Sequence, residues 1–72
     1  MKKIKKIKIK INGKIKSIAQ NSKLSIVLKN LKIPLNKVAI ELNEEIIDKK
    51  KASRIKLIKN DKIEIVHFIG GG

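Results

Sequence analysis

The chain has 72 residues and no cysteine, so the sequence predicts one small domain without disulfides, thiolate metal ligands or a cysteine nucleophile. One histidine and six scattered acidic residues argue against a metal site, and no segment reaches the roughly 20 apolar residues that span a membrane. The first residues, MKKIKKIKIKI, lack the continuous apolar core of a signal peptide, so we expect a cytoplasmic protein without membrane contact.

The net charge of +13 raises the alternative of a polyanionic partner. Lysine supplies 18 of the 19 basic residues and isoleucine occurs 16 times, a joint excess that an AT-rich coding sequence produces without selection for binding. Such coding would fit an AT-rich bacterium or a plastid. For a plastid-encoded protein the expected compartment is the stroma. Nucleic-acid binders use aromatic rings and arginine forks, and this chain has only Phe68 and Arg54. We therefore expect a solvated lysine-rich surface rather than a nucleic-acid partner.

The N-terminal part of the chain predicts a β-hairpin. Residues 7–11 alternate isoleucine with lysine, the period of a half-buried strand, and Asn12-Gly13 is a hairpin turn signal. A two-residue turn would place Ile9 opposite Lys16. A three-residue loop with the glycine in the left-handed conformation places Ile9 opposite Ile15 instead, so we predict this bulged loop.

Residues 23–32 predict the single helix. The apolar stripe of this segment consists of Leu24, Val27, Leu28 and Leu31. Ser22 is the predicted N-cap, since its hydroxyl can accept a hydrogen bond from the first turn. Pro34 disfavours helix at the residue before it, so the helix is expected to end near residue 32.

The second half of the chain predicts short strands separated by polar turns. The predicted strands are 38–42, 46–47 and 62–68, and the turns are 43–45 and 60–61. Residues 55–58 fit either a further strand or an irregular segment. The lysine run 49–51 is interpreted as a solvated loop.

This order of elements predicts an α+β fold in which one helix packs on a mixed sheet of four to five strands. The last strand carries apolar residues on both faces, as central strands do. The β-grasp strand order, with the first hairpin beside the last strand, is assigned by analogy. The predicted organisation is a domain over residues 1–69 and a flexible glycine tail over residues 70–72.

The three terminal glycines, Gly70, Gly71 and Gly72, predict a chemical role for the end of the chain. Glycine has no Cβ, so this segment can pass through a slot too narrow for other residues. A terminal carboxylate can attack the α-phosphate of ATP, and a sulfur nucleophile can then displace the adenylate to leave a thiocarboxylate. Because the chain offers no catalytic base or metal site, partners must perform this chemistry. We therefore expect a protein cosubstrate, with no bound cofactor, rather than an enzyme.

Two stretches carry a family resemblance: residues 38–47, VAIELNEEII, and residues 60–72, NDKIEIVHFIGGG. They resemble the ThiS family of sulfur carriers in thiamine biosynthesis, which are ubiquitin-like β-grasp proteins. The resemblance implies that an E1-like ThiF enzyme adenylates Gly72 and that a sulfur relay, commonly fed by a cysteine desulfurase, forms the thiocarboxylate. It also implies that a ThiG-type thiazole synthase takes the sulfur, with Gly70 and Gly71 as the threaded arm.

Other interpretations stay open from the sequence. A molybdopterin-synthase sulfur carrier and a ubiquitin-like modifier share the fold and the glycine end. A basic nucleic-acid-binding module would bind with strong salt dependence and without the glycines. Val66 and Phe68 fit either a docking patch for partner enzymes or core packing. His67 has no evident partner, so we expect a surface or packed residue rather than a catalytic one.

Overall fold

The structure is a computed structural model that describes residues 4–68 of the chain. These residues form five β-strands, one α-helix and two 3₁₀ helices. The strands are β1 (Lys6–Ile11), β2 (Lys14–Ala19), β3 (Val38–Leu42), β4 (Glu45–Ile46) and β5 (Lys62–His67). The helix α1 spans Leu24–Asn30, and the 3₁₀ helices span Leu35–Lys37 and Lys49–Arg54.

The strands form one mixed sheet in the order β2-β1-β5-β3-β4. Strand β5 runs parallel to β1 and antiparallel to β3, while the β1–β2 and β3–β4 pairs are antiparallel. This confirms the predicted α+β fold, the adjacency of the first hairpin to the last strand and the central position of that strand. Among the strands of residues 4–68, only β5 joins β1 to β3, so the two halves of the sheet are connected through it.

The helix packs on one face of the sheet, and the core lies between them. The fully buried side chains of this layer are Ile9, Leu24, Leu28, Val38, Ile40, Leu57 and Ile63. Alternation along each strand places isoleucines and valines on this core face and leaves lysines on the opposite face, which we call the open face. Burial of this single apolar layer is the main favourable contribution to folding in a chain of this size.

The predicted hairpin register is wrong: Ile9 lies opposite Lys16, not Ile15. The turn contains only Asn12 and Gly13, with φ of 48° and 81°, and such two-residue turns match the twist of the flanking strands. An isoleucine opposite a lysine costs little here because β2 is an edge strand and the lysine reaches water. Ile15 accordingly lies on the open face, 64% exposed.

The predicted helix, 23–32, is shorter in the structure, and the predicted cap is wrong. The Ser22 hydroxyl donates to the Ala19 carbonyl at 2.6 Å instead of capping the helix. The Leu24 N–H donates to the Ile55 carbonyl, so a distant segment satisfies the helix start. At the other end Lys32 has φ of 58°, which stops the helix two residues earlier than predicted.

The remaining turns differ from the prediction in detail. The turn after β3 contains Asn43 and Glu44, both with positive φ, so β4 is Glu45–Ile46 rather than 46–47. Residues 55–58 are irregular apart from one bridge between Lys23 and Lys56. The lysine run predicted as a solvated loop belongs to the second 3₁₀ helix.

Asn12 links the hairpin turn to the central strand, which leads to a prediction. Its Oδ1 accepts from the Ile65 N–H at 2.7 Å and its Nδ2 donates to the Ile65 carbonyl at 3.4 Å. We expect Asn12→Ala to lower the free energy of unfolding by about 2 kcal/mol, because a half-buried N–H loses its acceptor. Asn21→Ala is the matched control: Asn21 also has positive φ, 69°, but makes no side-chain hydrogen bond within residues 4–68. Urea denaturation of both variants measures the difference, and equal losses would contradict the role of the Asn12 side chain.

Candidate functional site

The last described residues are fixed to the sheet up to Phe68. His67 pairs with Val38 at the end of β5, and the Phe68 N–H donates to the Lys37 carbonyl at 2.9 Å. Residues 69–72 follow directly. The predicted reactive residue Gly72 and the predicted arm, Gly70 and Gly71, lie outside the described residues.

Lys49 supports this position from the second 3₁₀ helix. Its ammonium donates to the carbonyls of Leu35 and Val38, each at 2.6 Å, and lies 5.4 Å from the centre of the Phe68 ring. This half-buried cation thus contacts three separate groups: a carbonyl at the start of β3, a carbonyl of the preceding 3₁₀ helix, and the aromatic ring of Phe68. Sequence reasoning missed this role, because nothing in a run of three lysines distinguishes the first from its neighbours.

Val66 and Phe68 are exposed side chains, at 54% and 57%. The core-packing interpretation is therefore wrong for both, and the docking patch stays a prediction. We call these two residues the exit patch. Ala39 lies beside Val66 on the open face, since the two residues pair across β3 and β5. This apolar surface lies where the chain leaves the sheet.

Acidic side chains lie next to the exit patch on the same open face. Glu41 and Glu64 pair directly across β3 and β5. On the open face this pair is the next one after Ala39 and Val66, because side chains alternate along a strand. The other half of this face carries the lysines of β1. The open face beside Val66 therefore carries two acidic side chains, although the protein as a whole is strongly basic and Lys49 lies next to Phe68.

Asp61 positions the start of β5. Its buried carboxylate accepts from the Ile58 N–H at 2.8 Å and from the Asn43 Nδ2 at 2.9 Å. The Asn43 Oδ1 in turn accepts from the Lys62 N–H at 2.9 Å. Asp61 is thus a turn residue, as predicted, and it also joins the turn before β5 to the turn after β3.

The described residues offer little side-chain chemistry of their own. His67 is exposed. Between residues 4 and 68, no group of three or more histidine, aspartate or glutamate side chains is placed to bind a metal ion. The same residues contain no helix with the length and apolarity that a membrane crossing requires.

Comparison with known proteins decides the family. The model of the ThiS family matches residues 9–72, which include most of the hairpin, the helix and the terminal glycines. The chain belongs to the ThiS family. The resemblance carried by residues 38–47 and 60–72 is thereby confirmed.

Individual relatives agree with this assignment. The sulfur carrier protein ThiS of Bacillus subtilis is 35% identical over 65 residues, which are 89% of this chain and 98% of that protein. The crystal structure of the thiamine biosynthesis protein ThiS from Geobacter metallireducens matches with a TM-score of 0.80 and 26% identity, covering 92% of this chain and 100% of that one. The shared architecture confirms the predicted β-grasp fold.

Two further relatives are longer proteins. Thiazole synthases of Paramagnetospirillum magneticum and Magnetococcus marinus are 36% and 35% identical to this chain over 66 residues. The aligned region is 92% of this chain but only 20% of each synthase, so the chain spans about a fifth of their length. These proteins contain a ThiS-like segment within a larger polypeptide.

The contacts of Lys49 lead to a prediction about the chain exit. Lys49→Met keeps the aliphatic stem but removes both hydrogen bonds to carbonyls, so we expect the free energy of unfolding to fall by about 2 kcal/mol. The Phe68 ring should also lose its fixed environment, visible as a shift of its proton resonances toward random-coil values. Lys50→Met is the matched control, because the Lys50 side chain makes no hydrogen bond within residues 4–68. If both variants behave alike, Lys49 does not position the exit.

Proposed function

We propose that this chain is the sulfur carrier of thiamine biosynthesis and that the carboxylate of Gly72 is its reactive group. The observation that carries the proposal is the ThiS family match, which extends to residue 72 and so includes the three glycines. The named relative from Bacillus subtilis, a sulfur carrier of nearly the same length, supports it. Both favour the thiamine carrier over the molybdopterin carrier, the ubiquitin-like modifier and the nucleic-acid module.

The proposed chemistry proceeds in two substitutions. A carboxylate oxygen of Gly72 attacks the α-phosphate of ATP, pyrophosphate leaves, and an acyl-adenylate forms. Hydrosulfide then attacks the acyl carbon, and AMP leaves with the oxygen that had attacked the phosphate. If the nucleophile is instead the terminal sulfur of a persulfide, the acyl disulfide that forms is cleaved by a thiol, which is itself oxidised to a disulfide. The resulting thiocarboxylate is the form that delivers sulfur. The chain itself contributes the acyl group, and partner enzymes contribute ATP binding and orientation of the reacting groups.

The fold supports this division of labour. The backbone is hydrogen-bonded up to Phe68, and four further residues cover at most about 13 Å when extended. That reach is enough to enter a cleft in a partner while the exit patch contacts the rim of the cleft. Gly70 and Gly71 add no side chain to the segment that must pass through.

Three kinds of partner follow from the proposal. An E1-like, ThiF-type enzyme binds ATP and adenylates Gly72, and a cysteine desulfurase with its relay supplies the sulfur. A ThiG-type thiazole synthase accepts the sulfur. The two thiazole synthases that contain a ThiS-like segment support this last partner, since covalent linkage raises the effective concentration of a carrier at its acceptor. The carrier is a cosubstrate, not an enzyme, and binds no cofactor of its own.

The tail chemistry is tested by intact-mass measurement. Incubation with ATP, a ThiF-type enzyme and a sulfur source should exchange one oxygen for one sulfur, with fragmentation placing the exchange at Gly72. An alanine appended after Gly72 should abolish the exchange, because the reactive carboxylate then sits on a residue with a Cβ and one position further out. The matched control carries the same alanine before Met1 and should react normally. Sulfur exchange in the C-terminally extended chain would contradict the assignment.

The exit patch is tested separately. Val66→Asp should lower kcat/KM for adenylation by about 30-fold, the effect of a contact worth about 2 kcal/mol, because a charge replaces an apolar contact beside two existing acids. Ile15→Asp is the matched control, since Ile15 is similarly exposed on the open face but lies on β2. Thermal denaturation should show both variants folded. Equal kinetics for both would show that the enzyme does not contact the exit patch.

A further inference from the structure

The outer edge of β2 carries unpaired backbone groups. The Lys10 N–H donates to the Asp61 carbonyl and the Lys8 carbonyl accepts from the Asn60 N–H, so both residues direct their backbone groups away from β2. Their partners across the hairpin are Ile15 and Ser17. In an antiparallel pair without mutual hydrogen bonds, both residues point their N–H and C=O groups outward. Ile15 and Ser17 therefore present free donors and acceptors, unbonded within residues 4–68.

An apolar groove runs beside this edge, between β2 and α1. It has a volume of about 450 Å³. Its walls include Ile18 and Val27, and Ile26 and Leu31 of the helix side remain 50% and 37% exposed. A strand added to β2 would direct alternate side chains into this groove.

The charge around the groove is uniformly positive. Lys16 lines it, and Lys14 lies on the same face of β2 because side chains alternate along the strand. No acidic residue occurs before Glu41, so neither β2 nor α1 carries a negative charge. An occupant of this site must therefore complement lysines as well as apolar side chains.

We propose that the edge of β2 and the adjoining groove bind an extended segment of another protein, with apolar residues at alternate positions and acidic residues at one end. The segment adds a sixth strand to the sheet through the backbone groups of Ile15 and Ser17. Its apolar side chains contact Ile26 and Leu31, and its acidic end contacts Lys16. This site lies on the opposite edge of the sheet from β4 and two strands away from β5, so it is separate from the exit patch.

Charge excludes a second copy of this chain as the occupant. Pairing β2 with β2 of another copy would bring Lys14 and Lys16 of both copies together, and like charges across a strand pair are destabilising. The lysines of β2 therefore disfavour pairing between the β2 strands of two copies of this chain. The same lysines favour an acidic partner.

The test uses a fluorescein-labelled synthetic peptide in which valine alternates with threonine and a run of aspartates follows. Fluorescence anisotropy should show saturable binding to the full-length protein, and amide resonances of β2 and α1 should shift. Ser17→Pro removes one outward N–H and should weaken binding by at least about tenfold, whereas Ser17→Ala keeps the N–H and should bind normally. Proline is tolerated at such an edge position because the lost N–H is not part of the hairpin ladder.

A second pair of variants keeps the result independent of any effect of proline on folding. Ile26→Asp should weaken binding by at least about tenfold, since it places a negative charge in the apolar groove beside an acidic peptide. Ile58→Asp, at a similarly exposed isoleucine outside the groove, should change binding less than about twofold. Thiocarboxylate formation at Gly72 should be unchanged in all of these variants, which separates this site from the proposed carrier function.

Three outcomes would overturn the proposal. The first is absence of binding to the unmodified protein. The second is equal binding of a peptide in which serine replaces valine, which would show attraction to lysines alone. The third is a single-stranded oligonucleotide that competes for the same lysines while Ser17→Pro and Ile26→Asp have no effect, which would make this surface a polyanion site.

Discussion

The central position of β5 is the constraint on which the rest of this structure depends. The last strand in the sequence pairs with β1 on one side and β3 on the other, so it joins the two halves of the sheet. Its core-facing residues, Ile63 and Ile65, are buried beneath the helix. The strand is paired with β1 only at its start, at Lys62 and Ile63, whereas its exit end is hydrogen-bonded on the β3 side as far as Phe68. These bonds fix the point at which the chain leaves the sheet.

Several polar contacts serve this one strand. Asp61 and Asn43 fix its beginning, Asn12 bonds its middle, and Lys49 lies against the ring that follows its end. None of these side chains has chemistry suited to sulfur transfer. Their effect is geometric: they define where the strand starts, how it sits beside the hairpin and where the chain emerges. A small domain with one apolar layer gains from such bonds, since each satisfies backbone groups that the short strands leave free.

The distribution of charge separates two surfaces of the molecule. All acidic residues lie between positions 41 and 64, around β3, β4 and the start of β5, and the hairpin and helix carry only lysine. The exit patch therefore sits in the part of the protein where acids offset lysines. The edge of β2 lies in the part of the sequence that contains no acidic residue to offset the lysines. Coding bias can account for the excess of lysine in the composition, but the fold decides where these lysines lie. The two surfaces therefore differ in local charge and would suit partners of different charge.

Local patterns in the sequence were sufficient for the fold class, the helix, the principal strands and the terminal glycines, because side-chain periodicity and turn residues depend only on near neighbours. The family resemblance rested on the same local stretches, 38–47 and 60–72. The two-residue turn set the hairpin register locally, whereas the bonding of Asn12 to β5, the helix cap and the role of Lys49 were decided by tertiary structure. In each case the deciding partner is far along the chain: Ile65 for Asn12, Ile55 for Leu24, and Leu35 with Val38 for Lys49. Exposure of Val66 and Phe68 was decided in the same way, since an apolar residue in a strand is buried only if another layer covers its face. A sequence specifies which groups need a partner, and only the folded chain determines which partner lies within reach.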